Sequence, residues 1–454
     1  MNADDLLKVF QDAQQRAAKY QRPVIAVCAV PAPTLDPLAL YETHRQGFFW
    51  SAHSPDLTLF GMGTAWAIEA SGPQRMIEVG DRWSALCADA VIDGPHLPLL
   101  MGGVRFDEQQ PSAPHWVGFA DASFHVAHWL LSKDSKGRWL RCQQVVEPHS
   151  DPLALVHSSL AAYARLLDTP PNAASTPRIV ERNALPATQW QAKIEIALHA
   201  IEREELSKVV LARDIEYQLD APLDCGAVMH RLLDRRSQSH LFAVHRGDQC
   251  FMGATPERLL NCQDRHLTTH ALAGSIRRGR TAEEDQALGA VLLAAPKEQL
   301  EHQLVVQNIL HGLERIVSGL QHQAQPELIK LATVQHLSTS IGAQLEPGRS
   351  LLDGTQALHP TPAVGGLPKA AALHFIRQHE GFDRGWYAAP IGWLDARGNG
   401  DFLVALRSAL ISPRHCHLFA GCGIVQGSCP TDEYEETQIK LASMEQALFA
   451  DVTV

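Results

Sequence analysis

Two glutamate pairs carry the first chemical signal in the chain. Glu298 and Glu301 sit three apart in PKEQLEHQL, and Glu433 and Glu436 sit three apart in CPTDEYEETQIKL. Residues at i and i+3 share one face of a helix. Each pair follows a proline, Pro296 or Pro430, of the kind that suits a first helical turn. Two helix starts then each present two carboxylates, and four carboxylates brought together repel unless a cation holds them. Oxygen-only ligation suits a hard ion such as Mg²⁺, which takes one or two carboxylates with water and an anionic substrate. The same spacing also occurs on solvated helix faces and in acids that complement a helix dipole, so spacing alone leaves both readings open.

Apolar patterning assigns the elements that position these groups. Residues 1–20 read as a helix. From Pro23 to about Glu147, short apolar runs broken by Gly, Pro and Asp predict strands, with one helix over 80–91. The stretch LLDTPPNAASTPRIV reads as a linker. Beyond it come a helix over 187–204, a strand in KVVLARDIEYQL, a helix over 225–236 and a hairpin in HLFAVHRGDQCFMGATPERLLNC. ALAGSIRRGR is a strand running into a turn, and helices over 281–293 and 296–318 precede the strand-rich ELIKLATVQHLSTSIGAQL. Short helices over 350–358 and 367–380 lead to a hairpin around ARGNG, a strand in HLFAGCGIVQGS and a last helix over 431–449. Long antiparallel strand pairs bracketed by helices predict α+β rather than a doubly wound sheet. Residues 1–185 form a strand-rich N-terminal subdomain of the same fold, and residues 186–454 the catalytic core.

Composition narrows the classes. The chain has 454 residues, 45% hydrophobic and 20% charged, which is ordinary for a globular enzyme. Its net charge of −11 argues against nonspecific nucleic-acid binding. No apolar run reaches a membrane span, and the acidic start MNADDLLKVF lacks the basic, apolar pattern of a secretion signal. Nine cysteines without C-x-x-C spacing fit reduced thiols, so a cytoplasmic location is expected. His415-Cys416-His417 looks metal-like, but RHCHLFA alternates as a strand whose successive side chains face opposite ways. Gly421, Gly423 and Gly427 miss the dinucleotide fingerprint by one residue, and no acid follows at the right distance.

The blocks KVVLAR, FMGATPERLL, LAGSIRRG, PKEQLEH, VQHLSTSI, LHPTPAVGG, RGWYAAPIGW, FLVALRSALI and AGCGIVQGSCP follow one another in order from about residue 190 to 448. Together they resemble the chorismate-utilising enzymes, among them isochorismate, salicylate and anthranilate synthases. The resemblance implies two large antiparallel sheets packed together, surrounded by helices, with a Mg²⁺-dependent site between them.

In that family chorismate receives a nucleophile at C2 and loses its C4 hydroxyl. Hydroxide leaves poorly without a proton donor, and water attacks poorly without a base. The resemblance casts Lys208 as the residue that activates water and Glu257 as the acid. Such a base must be neutral when it acts, and such an acid needs its pKa raised. Glu301 and Glu436 match the Mg²⁺ ligands, and Glu298 and Glu433 match flanking carboxylates held through water. Tyr387, Arg407, the Gly423 backbone N–H and Lys440 match the set that binds the enolpyruvyl carboxylate, where a planar guanidinium suits a carboxylate bidentately. Ala273, Gly274 and Ser275 match the strand lining the ring, and His336 a residue near the pyruvyl arm.

Two positions bear on the product. Anthranilate synthases, which use ammonia, carry glutamine where this chain has Lys208, so lysine points to water. Salicylate and anthranilate synthases usually carry threonine where this chain has Ala363. The implied activity is therefore conversion of chorismate to isochorismate, without pyruvate release, feeding salicylate or siderophore synthesis. A separate isochorismate-pyruvate lyase is expected downstream, and no glutaminase subunit.

Overall fold

The computed structural model describes the chain except residues 45–46, 53–55, 168–176, 236–238, 331–333 and 451–454. Runs of β-branched and aromatic residues pair into two sheets, one of 13 strands and one of 10 among the described residues. The larger sheet runs from Ile179–Ala184 through Lys208–Leu219 and His415–Ile424 to Gln249–Thr255, and on to Val24–Pro31 near its far edge. The smaller places Val334–Leu345, His266–Arg277, Arg258–Gln263, Gly400–Val404 and Pro390–Asp395 side by side. The expected α+β architecture is present. One detail differs: Val24–Pro31 pairs in parallel with the short edge strand Val91–Asp93.

Both sheets draw on both ends of the chain. Phe48–Ala52 pairs with His240–Arg246 in the larger sheet, and Leu99–Val104 with Pro390–Asp395 in the smaller. Their facing surfaces bury one apolar core that includes Trp50, Leu100, Phe124, Phe251 and Phe402. A second core, with Phe10, Tyr217, Met229 and Met444, lies where the helices Ala3–Tyr20, Cys225–Asp234 and Pro430–Leu448 cover the larger sheet. Fully burying side chains of this size contributes roughly 1.5–3 kcal/mol each.

Two crossings between the sheets lie side by side. Gln249–Thr255 passes to Arg258–Gln263 through Pro256 and Glu257. Gly400–Val404 passes back to Ser408–Ile411 through Ala405, Leu406 and Arg407. The Val404 N–H donates to the Glu257 carbonyl at 3.0 Å, and the Ala254 N–H to the Arg407 carbonyl at 3.0 Å. Arg407 has φ 47°, a left-handed conformation that a residue with a Cβ holds mainly where its surroundings impose it.

A buried ion pair ties the segment after His359 to the larger sheet. Arg384 Nε donates to Glu380 Oε2 at 2.8 Å, Nη1 to the Val364 carbonyl at 2.9 Å and Nη2 to the Val210 carbonyl at 2.8 Å. Glu380 Oε1 accepts from the Ala212 N–H at 2.7 Å, and the guanidinium lies 4.2 Å from the centre of the Phe106 ring.

Most expected elements form, several with shifted ends. The helix expected over 80–91 is Arg75–Cys87, because the chain continues from it into the edge strand Val91–Asp93. The helix expected over 296–318 ends at Leu313. Ile316 and Val317 continue its apolar spacing, but Val317–His322 pairs with Val334–Leu345, so sheet pairing overrides the local pattern. Helices Pro37–His44 and Pro152–Leu167 were not expected. The proposed linker falls largely outside the described residues, between Leu167 and Ile179. The His415 and His417 rings sit beside Glu216 and Asp214, while Cys416 is buried, as strand alternation requires. All nine cysteines are free thiols.

The Arg384 arrangement has a measurable consequence. Arg384→Met leaves the Glu380 carboxylate buried without its counter-ion and should destabilise the fold by about 3–5 kcal/mol in urea unfolding. Glu380→Gln, which keeps a hydrogen-bonding side chain, should cost less. A loss below about 1 kcal/mol for Arg384→Met would show that other groups neutralise Glu380.

Candidate active site

The two helices announced by the glutamate pairs begin where the pattern put them. Pro296–Leu313 and Pro430–Leu448 both carry proline in the first turn. Their carboxylates open into one cavity of about 230 Å³. Glu298, Glu301, Glu433 and Glu436 all line it, with Lys208, Glu257, Arg407 and Lys440. Ala273, Gly274, Ser275, His336, Ala363 and Gly423 complete the expected set on its walls. Tyr387 alone does not reach the wall. It is buried with its ring stacked on Phe419 at 5.1 Å, beside Arg407.

Each wall follows from local structure. Lys208 opens the strand Lys208–Leu219, and Gly423 faces Val210 on the neighbouring strand. A Cβ on Gly423 would lie 3.1 Å from Lys208 Cε, so glycine leaves that side chain its path into the cavity. On the other sheet, the pairing of His266–Arg277 with Val334–Leu345 slips between Ala273 and Ser275. Gly274, at φ +75°, forms this bulge. The bulge turns the Ser275 N–H to Glu298 Oε2 at 3.2 Å and sets Ser275 Oγ 2.8 Å from His336 Nδ1. Glu257 and Arg407 come from the two crossings between the sheets.

The lysines neutralise the glutamates. Lys208 Nζ donates to Glu301 Oε1 at 2.6 Å. Lys440 Nζ lies 2.5 Å from Glu436 Oε1 and donates to the Gly421 carbonyl at 2.9 Å. Burial works against ionising Glu436, but Lys440 and Arg407 outweigh it and hold its carboxyl below the usual range. Burial pushes Glu433 up, and its Oε2 is buried with no hydrogen-bond partner among the described residues. Burial also raises Glu257, to about 7, although Lys208, Lys440 and Arg407 all oppose it. His336 is pushed down to about 4, first by burial and then by Lys440 and Arg407, so it is a neutral ring at pH 7.

This donor set fits a hard cation. It is four carboxylates, one with an orphaned buried oxygen. Among the described residues no three His, Cys, Asp or Glu side chains converge closely enough to form a ligand cage by themselves. An ion held by one or two carboxylates, water and an anionic substrate needs no such cage.

Five further residues line the cavity. Pro256 and Leu406 flank Glu257 and Arg407 at the crossings, and Leu272 precedes the bulge. Val425 and Ser428 lie in the GIVQGSCP block, where the Ser428 hydroxyl accepts from the Val425 N–H at 3.3 Å. Their place beside the matched positions was the available signal.

Residues 11–449 match the family described as chorismate binding enzyme. The chain is 42% identical over 448 residues to the salicylate biosynthesis isochorismate synthase of Pseudomonas aeruginosa, covering 97% of this chain and 94% of that protein. It is 35% identical over 451 residues to the isochorismate synthase MenF of Bacillus subtilis, covering 96% of each. The solved structure of the menaquinone-specific isochorismate synthase MenF from Escherichia coli is similar with a TM-score of 0.82 at 27% identity, covering 97% of this chain and 100% of that one. No helix among the described residues is long and apolar enough to cross a membrane. The blocks read in order along the sequence, the two-sheet fold and these matches lead to one assignment: the chain belongs to the chorismate binding enzyme family.

Proposed function

We propose that this chain is an isochorismate synthase, converting chorismate reversibly to isochorismate in the cytoplasm. The observation that carries the reading is a lysine and a protonatable glutamate, Lys208 and Glu257, in the walls of one cationic-and-acidic cavity. Lys208 takes a proton from the water that attacks C2. Glu257 gives a proton to the C4 hydroxyl, which leaves as water. A carboxyl raised to about 7 carries its proton for a useful fraction of the time at neutral pH, which suits an acid. Arg407 and Lys440 bind the enolpyruvyl carboxylate, with the Gly423 N–H beside them, and Tyr387 supports Arg407 from behind. Ala273, Gly274 and Ser275 line the ring, and neutral His336 faces the pyruvyl arm.

Glu301 and Glu436 would hold Mg²⁺ directly, and Glu298 and Glu433 would hold it through water. The ion would neutralise the ring carboxylate of the substrate among these glutamates. The relative from Pseudomonas aeruginosa is named for salicylate biosynthesis. By analogy, this product passes to a separate lyase that removes pyruvate.

Incubation with chorismate and Mg²⁺, followed by chromatography, tests the reaction: isochorismate should accumulate. Lys208→Ala and Glu257→Gln should each lower turnover by roughly two or more orders of magnitude while chorismate binding suffers less. Near-native product formation by Lys208→Ala would remove the water-activating role. Because Glu257 acts only when protonated, the pH profile of turnover should carry a limb that falls as pH rises through about 7. The Glu257→Gln residual activity should lack that limb.

Chelator should abolish turnover and added Mg²⁺ restore it. Glu301→Gln and Glu436→Gln should weaken Mg²⁺ binding, read by calorimetry, more than Glu298→Gln or Glu433→Gln. Full activity in excess chelator would rule out the metal.

Product choice is read with lactate dehydrogenase as the pyruvate detector. The native enzyme should release none, and Ala363→Thr should lower synthase activity with at most traces of pyruvate. Pyruvate matching chorismate loss in the native enzyme would make it a salicylate synthase instead.

A further inference from the structure

Behind the wall formed by Glu257 and Ala363 lies a second, much smaller cavity. Its volume is about 10 Å³, close to the space one water occupies. Glu257, Leu272 and Ala363 line both this cavity and the main one, so they form the partition between the two. The rest of its lining mixes apolar side chains such as Val305 and Ile309 with Arg258, Thr269 and His270, which hydrogen-bond to Asp401, the Leu259 carbonyl and Ser340. Thr361 also lines it. That residue is 5% exposed, and its Oγ1 has no hydrogen-bond partner among the described residues. The Thr361 carbonyl, by contrast, accepts from the N–H groups of Val364 and Gly365, at 3.1 and 2.9 Å. The backbone turn is therefore satisfied without the hydroxyl. A buried hydroxyl left unpaired costs about 1–3 kcal/mol, so it calls for a partner.

Thr361 and Glu257 border the same one-water space. We infer that this space holds a single water, hydrogen-bonded to Thr361 Oγ1 and to the Glu257 carboxyl, and that Thr361 is a positioning residue for the acid. The inference rests on the role given to Glu257 above. A carboxyl acting as an acid has one oxygen bearing the proton and one accepting. The water donates to the accepting oxygen, on the side away from substrate. The protonated oxygen is then turned into the main cavity, toward the leaving C4 hydroxyl. Without the water the carboxyl rotates freely, and the proton points at substrate for a smaller part of the time.

Position 363 gains a second meaning. The alanine methyl borders the water space as well as the substrate space. A larger side chain there intrudes on the water, and so disturbs the acid, even where it leaves substrate room.

The test uses Thr361→Val, which keeps the shape and removes the hydroxyl, and Thr361→Ser, which keeps the hydroxyl. Native enzyme and Glu257→Gln run alongside. In Thr361→Val, kcat should fall about tenfold and KM should stay within about twofold, the split expected when the acid is misaimed but substrate still binds. Thr361→Ser should recover most of kcat. A crystal structure of the native enzyme should place one solvent peak within hydrogen-bond distance of both Thr361 Oγ1 and a Glu257 oxygen. Native kcat in Thr361→Val, no recovery in Thr361→Ser, or an empty cavity in the crystal each overturns the inference. If native enzyme makes no isochorismate, or Glu257→Gln is fully active, the broader reading has failed. If both controls behave and only the Thr361 variants do not, the fault lies with the water alone. Should Thr361→Val not fold, the solvent peak decides.

Discussion

Everything at the centre of this protein depends on the balance of charge around four glutamates. Glu298, Glu301, Glu433 and Glu436 share one cavity with three basic side chains, Lys208, Arg407 and Lys440. Like charges at this separation cannot all stay ionised in a partly buried space without cations. Lys208 sits on Glu301 and Lys440 on Glu436, so the two carboxylates proposed as direct metal ligands are also the ones that hold the lysines. Metal and lysine would therefore compete for one partner. On the proposed roles, a cation held at Glu301 would free Lys208 from its ion pair, as a group that takes a proton from water requires. Glu257 stands apart from this balance. Burial raises it although all three basic groups pull the other way. The same cavity thus holds Glu436 below the usual carboxylate range while burial raises Glu257 and Glu433.

The fold supplies this arrangement by bringing unlike pieces to one place. Lys208 and Gly423 come from adjacent strands of the larger sheet, and Ala273 to Ser275 from a bulge in the smaller. Glu257 and Arg407 come from the two points where the chain changes sheet. No single element could be displaced without moving one group relative to another. Arg384 makes this explicit, because its guanidinium holds the Val210 and Val364 carbonyls together. Val210 is two residues from Lys208, and Val364 follows Ala363. A buried charge pair is a poor source of net stability, but its directed hydrogen bonds fix one geometry among several. Here the geometry is the distance between Lys208 and the cavity wall at Ala363.

Much of this was legible in the sequence, and the reasons are physical. The glutamates could be read because helix spacing and proline placement are local properties. Lys208, Glu257 and Arg407 could be read only through ordered motif blocks, since a lone lysine or arginine gives no sign of burial. Tyr387 shows the limit. It stands in a matched block, yet its ring stacks on Phe419 behind the wall, which only the path of the turn decides. The helix Pro152–Leu167 was readable after the fact. Its Ala- and Leu-rich run favours helix, and Asp151 accepts from the Leu153 N–H at 2.9 Å just before it begins. The end of Pro296–Leu313 was not, because a strand far along the chain claims Val317. The small cavity behind Glu257 was beyond reach of sequence altogether. It is what remains after side chains from several segments have packed.

Alanine at 363 is best understood at the junction of these constraints. The segment that carries it is bolted to the Lys208 strand by Arg384 and by the Val210 N–H, which donates to the Gly365 carbonyl at 2.9 Å. It cannot drift to make room for a larger side chain. Gly366 tightens the constraint, since a Cβ there would fall 2.3 Å from the Lys208 carbonyl. A threonine at 363 therefore brings its extra atoms inward, against either the substrate or the space beside Glu257. The first changes how the ring and pyruvyl arm sit, and the second changes how the acid is aimed. Product choice and acid positioning meet at one methyl group, so exchanging it alone unbalances the site before it redirects the chemistry.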